Sequence, residues 1–452
     1  MQKKVSLPLI FMIGCFITGN LVGAGILGLP IQTGIAGLVP SLVGMIFVGA
    51  AMFFSGVILV NEAVESRQDV FHFPSMYEKY FGRPGRYVAI LANLVILYGF
   101  IIAYLTGSVS IITRLLGIES YRILVTLLFF AAVTAITISN PKSLLKLNSA
   151  FVIFLLISFT ALVMMGKKYV QPARFEYKNW TMLAPALPII VTAVSFQNVI
   201  PTISKLLGWN KKHIIISLLA GTFIGFLMCA VWIKVGIGVL PMAGNNSILS
   251  ALENNVPEIV PLARAIQSLA FLRTALLFSL MAIITSYLSM GKALMEFIED
   301  CTSRHPKLGG QAITAVIAFL PPLLIALVYP DMFLNLLNVI GGVGIVILFG
   351  MLPCIIALIK TRSRVLRYAI VVPVMLFFLA IFGLEVAQQT GLIKIAPRIK
   401  YWTNLQFYKW PELERKNISA NLPQKPKKPA SENLLEDLLP VDKLMVDSGS
   451  QK

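Results

Sequence analysis

Apolar runs long enough to cross a lipid bilayer recur along most of this 452-residue chain. A helix needs about 20 residues to cross a hydrocarbon core about 30 Å thick. We identify eleven such runs, near residues 6–32, 37–61, 87–113, 122–139, 149–165, 182–204, 213–238, 268–290, 310–329, 332–359 and 366–388. The pattern predicts an all-α polytopic membrane protein of eleven transmembrane helices.

The composition and the placement of charge agree with a membrane protein. Hydrophobic residues make up 57% of the chain and charged residues 13%, whereas a soluble domain carries about 25% charged residues. The net charge of +18 would suggest nucleic acid as a partner of a soluble protein, but here the basic residues lie between the apolar runs. With the N-terminus in the cytoplasm, the inner segments before residue 390 hold twice as many lysines and arginines as the outer ones. We therefore predict a multi-pass protein of the inner membrane, with a cytoplasmic N-terminus and no nucleic-acid partner.

Two segments fall outside this pattern of membrane spans. The tail, residues 391–452, contains PQKPKKPA and then a mixture of Ser, Glu, Lys and Asp, which predicts disorder following a membrane domain over residues 1–390. Residues 244–266 are too polar to span the membrane and too apolar for a simple linker. We expect this segment to form a lid of short helices over the outer mouth.

A glycine-rich stretch, GNLVGAGILGLP over residues 19–30, lies within the first apolar run. Its GAGILG has the spacing of a dinucleotide-binding loop, but Pro30 follows at once and the next acid is Glu62, which argues against a nucleotide. A packing face for close helix contact is one alternative. So many glycines beside a proline instead favour a helix broken near Gly23–Gly25, because irregular backbone at membrane depth survives only where it lines a cavity. The free N–H groups of its second half would bind a carboxylate.

The sixth span has a comparable interruption. Ser195-Phe196-Gln197-Asn198 lies in its middle, and Pro201 follows as Pro30 follows the first interruption. This predicts a second broken helix and two inverted five-span repeats, near 6–165 and 182–359, with one further helix at 366–388. Gln197 and Asn198 are costly in lipid, so each is expected to face a cavity or to form hydrogen bonds between helices.

Three stretches together carry a family resemblance: residues 19–30, AVSFQNVIPTISKLLG at 193–208 and AIITSYLSMGKALMEFIED at 282–300. They resemble the bacterial aromatic amino acid permeases, the tryptophan/tyrosine permease family, and the resemblance covers roughly residues 6–388. It implies a leucine-transporter-like fold and uptake of tryptophan, tyrosine or phenylalanine, typically by proton symport. Members commonly carry Gly-aromatic-His-Gly where this chain has residues 195–198, so the resemblance leaves the exact substrate and the coupling ion open.

From the break and the resemblance we predict a substrate site at the membrane midplane. Its carboxylate would lie on the backbone near Gly23, Ala24 and Gly25. Its side chain would lie near Ser195, Phe196 and Gln197, with the mid-span hydroxyl of Tyr104 as a further contact. Plain core packing is the alternative for Phe196.

Two routes for a coupling ion follow from the sequence. Glu62, at the end of the second span, could carry a proton, or could be an interfacial acid without a transport role. Thr285 and Ser286 match positions where this fold often places hydroxyls beside a sodium ion, and carbonyls near Val22 and Gly23 would complete an oxygen cage. The alternative for both hydroxyls is bonding to their own helix. The resemblance favours protons.

The sequence contains no arrangement that indicates an enzyme, a cofactor or a bound metal. The four cysteines form no C-x-x-C pair, and the three histidines lie in or beside loops. We therefore predict a secondary transporter that imports an aromatic amino acid with a coupling ion, H⁺ or Na⁺, across the bilayer. The alternatives are a sodium-coupled transporter of another neutral amino acid and a transporter-like amino acid sensor.

Overall fold

The computed structural model describes residues 7–66, 73–139, 141–302, 310–361, 363, 365 and 367–392. Within these ranges every regular element is helical and no strand occurs. The predicted disordered tail lies outside the described residues, except for its first two positions.

The helices follow the apolar runs, and several extend beyond them. They are α1 (Leu7–Leu21), α2 (Ala24–Gly34), α3 (Leu38–Ser66), α4 (Phe73–Leu116), α5 (Arg122–Ile138), α6 (Pro141–Gly166), α7 (Leu187–Val194), α8 (Ile200–Leu206), α9 (Lys211–Val239), α10 (Ile248–Glu253), α11 (Ile259–Ile266), α12 (Leu269–Thr302), α13 (Gln311–Val328), α14 (Phe333–Val339), α15 (Leu352–Lys360) and α16 (Val372–Gln389). A π-helical segment, Ile340–Met351, joins α14 to α15, and Arg367–Val371 leads into α16 in the same way.

Ten helical segments among the described residues are long and apolar enough to cross a membrane. The sequence predicts eleven. The difference lies in the first predicted run, which is divided into α1, of 15 residues, and α2, of 11 residues, each shorter than a full crossing. The chain is thus an all-α polytopic membrane protein.

Two helices are interrupted inside the bundle. Between α1 and α2 the chain passes through Val22 and Gly23, and Gly23 is extended with φ −101° and ψ −151°. Between α7 and α8, Ser195 and Phe196 leave the helical conformation and a 3₁₀ turn, Gln197–Val199, follows. Pro201 lies in the first turn of α8, where a missing N–H costs no hydrogen bond.

The interrupted helices pack against each other through small residues. A Cβ placed on Gly25 of α2 would lie 3.0 Å from the Cα of Ala193 in α7. A Cβ on Gly28 would lie 3.1 Å from the side chains of Ile189 and Leu334. The close crossing of α2 and α7 therefore depends on a glycine, as is common between membrane helices.

Two short helices between α9 and α12 cover one end of the bundle. We call residues 248–266, which comprise α10 and α11, the lid. Ile248 of the lid packs against Gly34, with its Cδ1 2.8 Å from where a Cβ would be. The backbone N–H of Glu258 donates to the carbonyl of Leu27 at 3.0 Å. The lid is therefore fixed to α2, the second half of the first interrupted helix.

Candidate functional site

A cavity of about 620 Å³ reaches the two interruptions from one end of the bundle. Its deep wall is formed by residues of α1, α4, α12 and the 195–199 interruption, among them Gly19, Asn20, Asn93, Phe100, Ser195, Asn198, Thr285, Ser286, Ser289 and Met290. The lining continues to the exposed residues Lys205 and Glu296. The cavity is thus open at the end where α8 and α12 finish, opposite the lid.

Two asparagines connect the interruptions across this cavity. Asn20 Nδ2 donates to Asn198 Oδ1 at 3.2 Å, and Asn198 Nδ2 donates to Asn20 Oδ1 at 3.4 Å. Asn198 Nδ2 also donates to Met290 Sδ at 3.7 Å, and each amide oxygen keeps acceptor capacity that can face the cavity. The sequence predicts that Asn198 faces a cavity or forms hydrogen bonds between helices, and in the structure it does both; the sequence does not single out Asn20. The feature of the sequence that could have identified Asn20 is its position as a polar amide directly before the glycine-rich break.

The predicted backbone site lies just behind the cavity wall. A Cβ on Gly23 would lie 2.5 Å from Ser286 Oγ, so this position requires a glycine while Ser286 keeps its place. Ala24 is the first residue of α2, whose opening N–H groups have no acceptor within the helix. Gly25 is buried and its missing side chain faces Ala193.

Of the three substrate-site residues predicted in the sixth span, Ser195, Phe196 and Gln197, only Ser195 lines the cavity. The Phe196 ring is buried against Phe53 of α3, with 6.4 Å between ring centroids. Gln197 is also buried, and its Nε2 donates to the carbonyl of Met52 at 2.9 Å. Its Oε1 accepts from the Phe196 N–H at 3.0 Å. Phe196 and Gln197 thus face α3, whereas their neighbours Ser195 and Asn198 face the cavity.

Tyr104 lies behind the wall, in a group of aromatic rings. Its ring stacks on Phe100 with centroids 5.5 Å apart and lies 6.5 Å from Tyr287. Its hydroxyl interacts with Ser286, which itself lines the cavity. Tyr287 in turn forms a 2.7 Å hydrogen bond with Thr134. The cluster gives the cavity an aromatic side at Phe100 and places Tyr104 one layer deeper.

The residues predicted to hold an ion are brought together only in part. Thr285 and Ser286 both line the cavity, but the Thr285 hydroxyl donates to the Met281 carbonyl of its own helix at 2.8 Å. The Val22 N–H donates to Thr18 at 2.9 Å, in the pattern of α1. In the part of the chain that the structure describes, no three His, Cys, Asp or Glu side chains are grouped to hold a metal.

Glu62 lies outside the cavity lining, in an ion-pair network. Its side chain is 4% exposed, and Oε1 is 2.7 Å from Lys360 Nζ. Oε2 accepts a hydrogen bond from the Tyr80 hydroxyl at 2.5 Å. Lys360 also pairs with the exposed Glu65 at 2.7 Å. This network joins the end of α3 to the end of α15.

Membrane-crossing helices around a partly polar cavity, with two interrupted helices beside it, are typical of an integral membrane transport protein. The model of the tryptophan/tyrosine permease family matches residues 8–389. The chain therefore belongs to this family, and it is an integral protein of a bacterial membrane.

Relatives with transport functions are similar along most of their length. Tyrosine-specific transport system 1 of Haemophilus influenzae is 28% identical over 335 residues, covering 72% of this chain and 82% of the relative. The tryptophan-specific transport protein of the same organism is 23% identical and covers 75% and 85%. The low affinity tryptophan permease of Escherichia coli K12 is 23% identical and covers 77% and 86%.

Proposed function

We propose that this chain imports an amino acid of the tyrosine or tryptophan type across the cytoplasmic membrane, driven by protons. The observation that carries the proposal is the cavity that ends at the Asn20–Asn198 pair, between the two interrupted helices. Its volume of about 620 Å³ lies within the range of about 300–1,000 Å³ that small-molecule sites occupy. The names of the relatives, which are tyrosine- and tryptophan-specific, supply the substrate class.

The substrate pose follows from the chemistry of the cavity wall. The carboxylate would bind the N–H groups that begin α2, at Ala24 and Gly25, where a helix N-terminus favours negative charge. Ser286 stands between these groups and the cavity, so binding includes a shift of its side chain. The aromatic side chain would lie against Phe100, backed by Tyr104. Asn198 and Ser195 would supply the polar contacts, while Phe196 and Gln197 shape the interruption from the α3 side.

The conformation described is open to the cytoplasm in this proposal. The cavity opens beside Lys205 and Glu296, at the end that the positive-inside rule assigns to the cytoplasm. The lid closes the opposite end. Single cysteines at the exposed positions Arg83 and Asn254, each in a chain without its native cysteines, test this topology with an impermeant thiol reagent. Only Asn254→Cys should react from outside intact cells, and labelling of Arg83→Cys from outside contradicts the proposed topology.

Substrate class is tested by counterflow in proteoliposomes with a panel of labelled amino acids. We expect tyrosine or tryptophan to exchange and alanine and leucine not to. Binding of an aromatic amino acid without any exchange would instead identify a sensor. Exchange of small neutral amino acids alone would overturn the aromatic assignment.

The coupling ion is tested with imposed gradients. An inward proton gradient should drive accumulation, and a protonophore should abolish it. The lining hydroxyls of Thr285 and Ser286 are the feature that would serve sodium instead. Accumulation that follows a sodium gradient, ignores the protonophore and is lost in Thr285→Ala with Ser286→Ala contradicts proton coupling.

A further inference from the structure

A buried carboxyl in the lid takes no part in the site described above. Glu258 is fully buried, and neither carboxyl oxygen has a hydrogen-bond partner among the described residues. The indole of Trp232 in α9 is turned toward this carboxyl, yet its Nε1 also closes no hydrogen bond within the described part of the chain. An ionised carboxylate without partners is strongly disfavoured in such surroundings, so the group has to be neutral there.

The space around this carboxyl is made by a glycine and closed by apolar side chains. A Cβ on Gly236 would overlap Glu258 Oε1 and would also meet Pro30 of α2. The Trp232 ring packs on Phe278 at 5.5 Å and on Phe159 at 5.8 Å between centroids. The carboxyl is therefore enclosed by α2 and α9 only while the lid is closed.

The elements around Glu258 supply no counter-ion among the described residues. Helix α2 has no titratable side chain. Lys234 of α9 is exposed and lies over the Phe175 ring at 5.9 Å. Arg264 of α11 donates to the carbonyl of Arg114 at 3.4 Å, and Arg273 at the start of α12 is exposed.

Burial alone accounts for the proton affinity of this group. Glu258 lies in the connection between α9 and α12, outside the crossing helices. Burial raises the pKa of its carboxyl well above the usual range, and Trp232 offsets this only in part. When the lid lifts, the carboxyl enters water and its pKa returns toward about 4.3. Closure is then linked to proton uptake, and it is favoured at pH values below the raised pKa.

We propose that Glu258 is a proton-binding site, loaded from the outer side, and that the lid closes on α2 and α9 only with this carboxyl protonated. The proposal rests on the proposed function in one respect, the placement of residues 248–266 on the outer side. In this proposal the acid that takes up the proton is Glu258 and not Glu62. Proton uptake is linked to α2 because the Glu258 N–H donates a hydrogen bond to the Leu27 carbonyl.

The test measures how far the lid is open at different external pH values. Ala263 of α11 is small and buried, and Asn254 is exposed. In the full chain without native cysteines, Ala263→Cys reports opening through its reaction with an impermeant thiol reagent. Asn254→Cys, measured in parallel, corrects for the pH dependence of the reagent. We expect the corrected labelling to rise severalfold between about pH 5 and about pH 8 outside.

Variants at Glu258 and Gly236 separate this proposal from a purely structural role. Glu258→Gln, which stays neutral, should keep labelling low at every pH, while Glu253→Gln, on the exposed side of α10, should respond like the parent chain. Gly236→Ala, which removes the space for the carboxyl and also crowds Pro30 of α2, should leave labelling high even at low pH. A response to pH that persists in Glu258→Gln, or a parent chain that does not respond, overturns the proposal. The labelling experiment needs no substrate, so its outcome does not depend on which amino acid the protein transports. An error in the proposed substrate class would appear only in the counterflow experiment.

Discussion

Asn20 and Asn198 exchange two amide hydrogen bonds, at 3.2 and 3.4 Å, although 178 residues separate them in the chain. The pair lies where the first interrupted helix meets the second, and both amides line the cavity. Since the two bonds are reciprocal, losing either side chain leaves the other amide without its partner. The pair is therefore the most direct link between the two interruptions and the proposed substrate.

Removing either asparagine should impair transport to a similar degree. A lost partner for a buried polar group costs about 1–3 kcal/mol; both asparagines are only partly buried, so we expect the lower part of this range, where about 1.4 kcal/mol corresponds to about tenfold in the uptake rate. We expect Asn20→Ala and Asn198→Ala each to reduce uptake of labelled tyrosine or tryptophan about tenfold. The double variant should be little worse than either single one, because both remove the same interaction. Asn93→Ala, in the same cavity, is the matched control, and strictly additive losses would show that the pair does not act as a unit.

Gly25 is expected to tolerate no side chain, for a reason that packing supplies. A Cβ there would lie 3.0 Å from the Cα and 3.3 Å from the Cβ of Ala193. Gly25→Ala should therefore abolish most uptake, because the contact is with backbone that cannot be moved aside as a side chain can. Gly28→Ala should be milder, since it meets only side-chain methyl groups of Ile189, Leu334 and Leu337. Normal uptake in Gly25→Ala would show that neither packing against Ala193 nor contact of substrate with this backbone excludes a side chain at this position.

The Glu62–Lys360 pair should matter for stability rather than for coupling. Glu62 is 4% exposed and Lys360 37%, so removing the lysine leaves a buried charge without its counter-ion. Lys360→Met should therefore lower the melting temperature more than Glu62→Gln. Glu62→Gln should retain proton-driven uptake, with the exposed Glu65→Gln as its control. Loss of proton-driven accumulation in Glu62→Gln, with the protein folded, would instead make Glu62 the proton carrier.

The ion pairs of Asp331 should produce a pH-dependent contribution to stability. Burial alone would raise the pKa of Asp331, but hydrogen bonds and charge from Arg122 and Arg114 outweigh it and hold the pKa below its usual range. Asp331 thus stabilises the fold above the unfolded-state pKa of about 3.9, and this contribution is lost as pH falls through the lowered folded-state value. Asp331→Asn should lower the melting temperature at about pH 7, and the difference should shrink as pH falls below about 3.9 and vanish only below the lowered folded-state pKa. Glu176→Gln, an exposed acid with the same change of charge, should show no such convergence.

Hydrophobic runs predict the membrane helices well because length and apolar content suffice to identify a crossing. Hydrophobic runs do not predict where these helices begin and end, because turns and polar contacts outside the bilayer set the ends. Helix α4 begins at Phe73, although its apolar run begins near residue 87. Its first part is amphipathic, and the chain turns through Gly82 at φ +65° before the crossing starts. A window of hydropathy contains no signal for such a turn.

The sequence does not predict which way the side chains at the interruptions point, and the reason is a different one. Inside a helix, spacing of 3.6 residues tells which positions share a face. At Ser195–Asn198 the helix stops, and that periodicity stops with it. Four adjacent polar or aromatic residues thus divide between the cavity and α3 in a way that only tertiary contacts reveal. The Asn20–Asn198 pair escaped prediction similarly, because contact between distant residues has no local pattern.

The fit of Glu258 into the space left by Gly236 has a consequence for evolution. No larger residue fits at 236 while the acid and the closed lid are both kept, so the two positions should vary together among relatives. Lineages that have gained a side chain at position 236 should carry a small uncharged residue at position 258 and should also have replaced Pro30, which a Cβ at 236 would meet. Lineages that keep an acid at 258 should keep the glycine, even where the surrounding sequence has diverged widely.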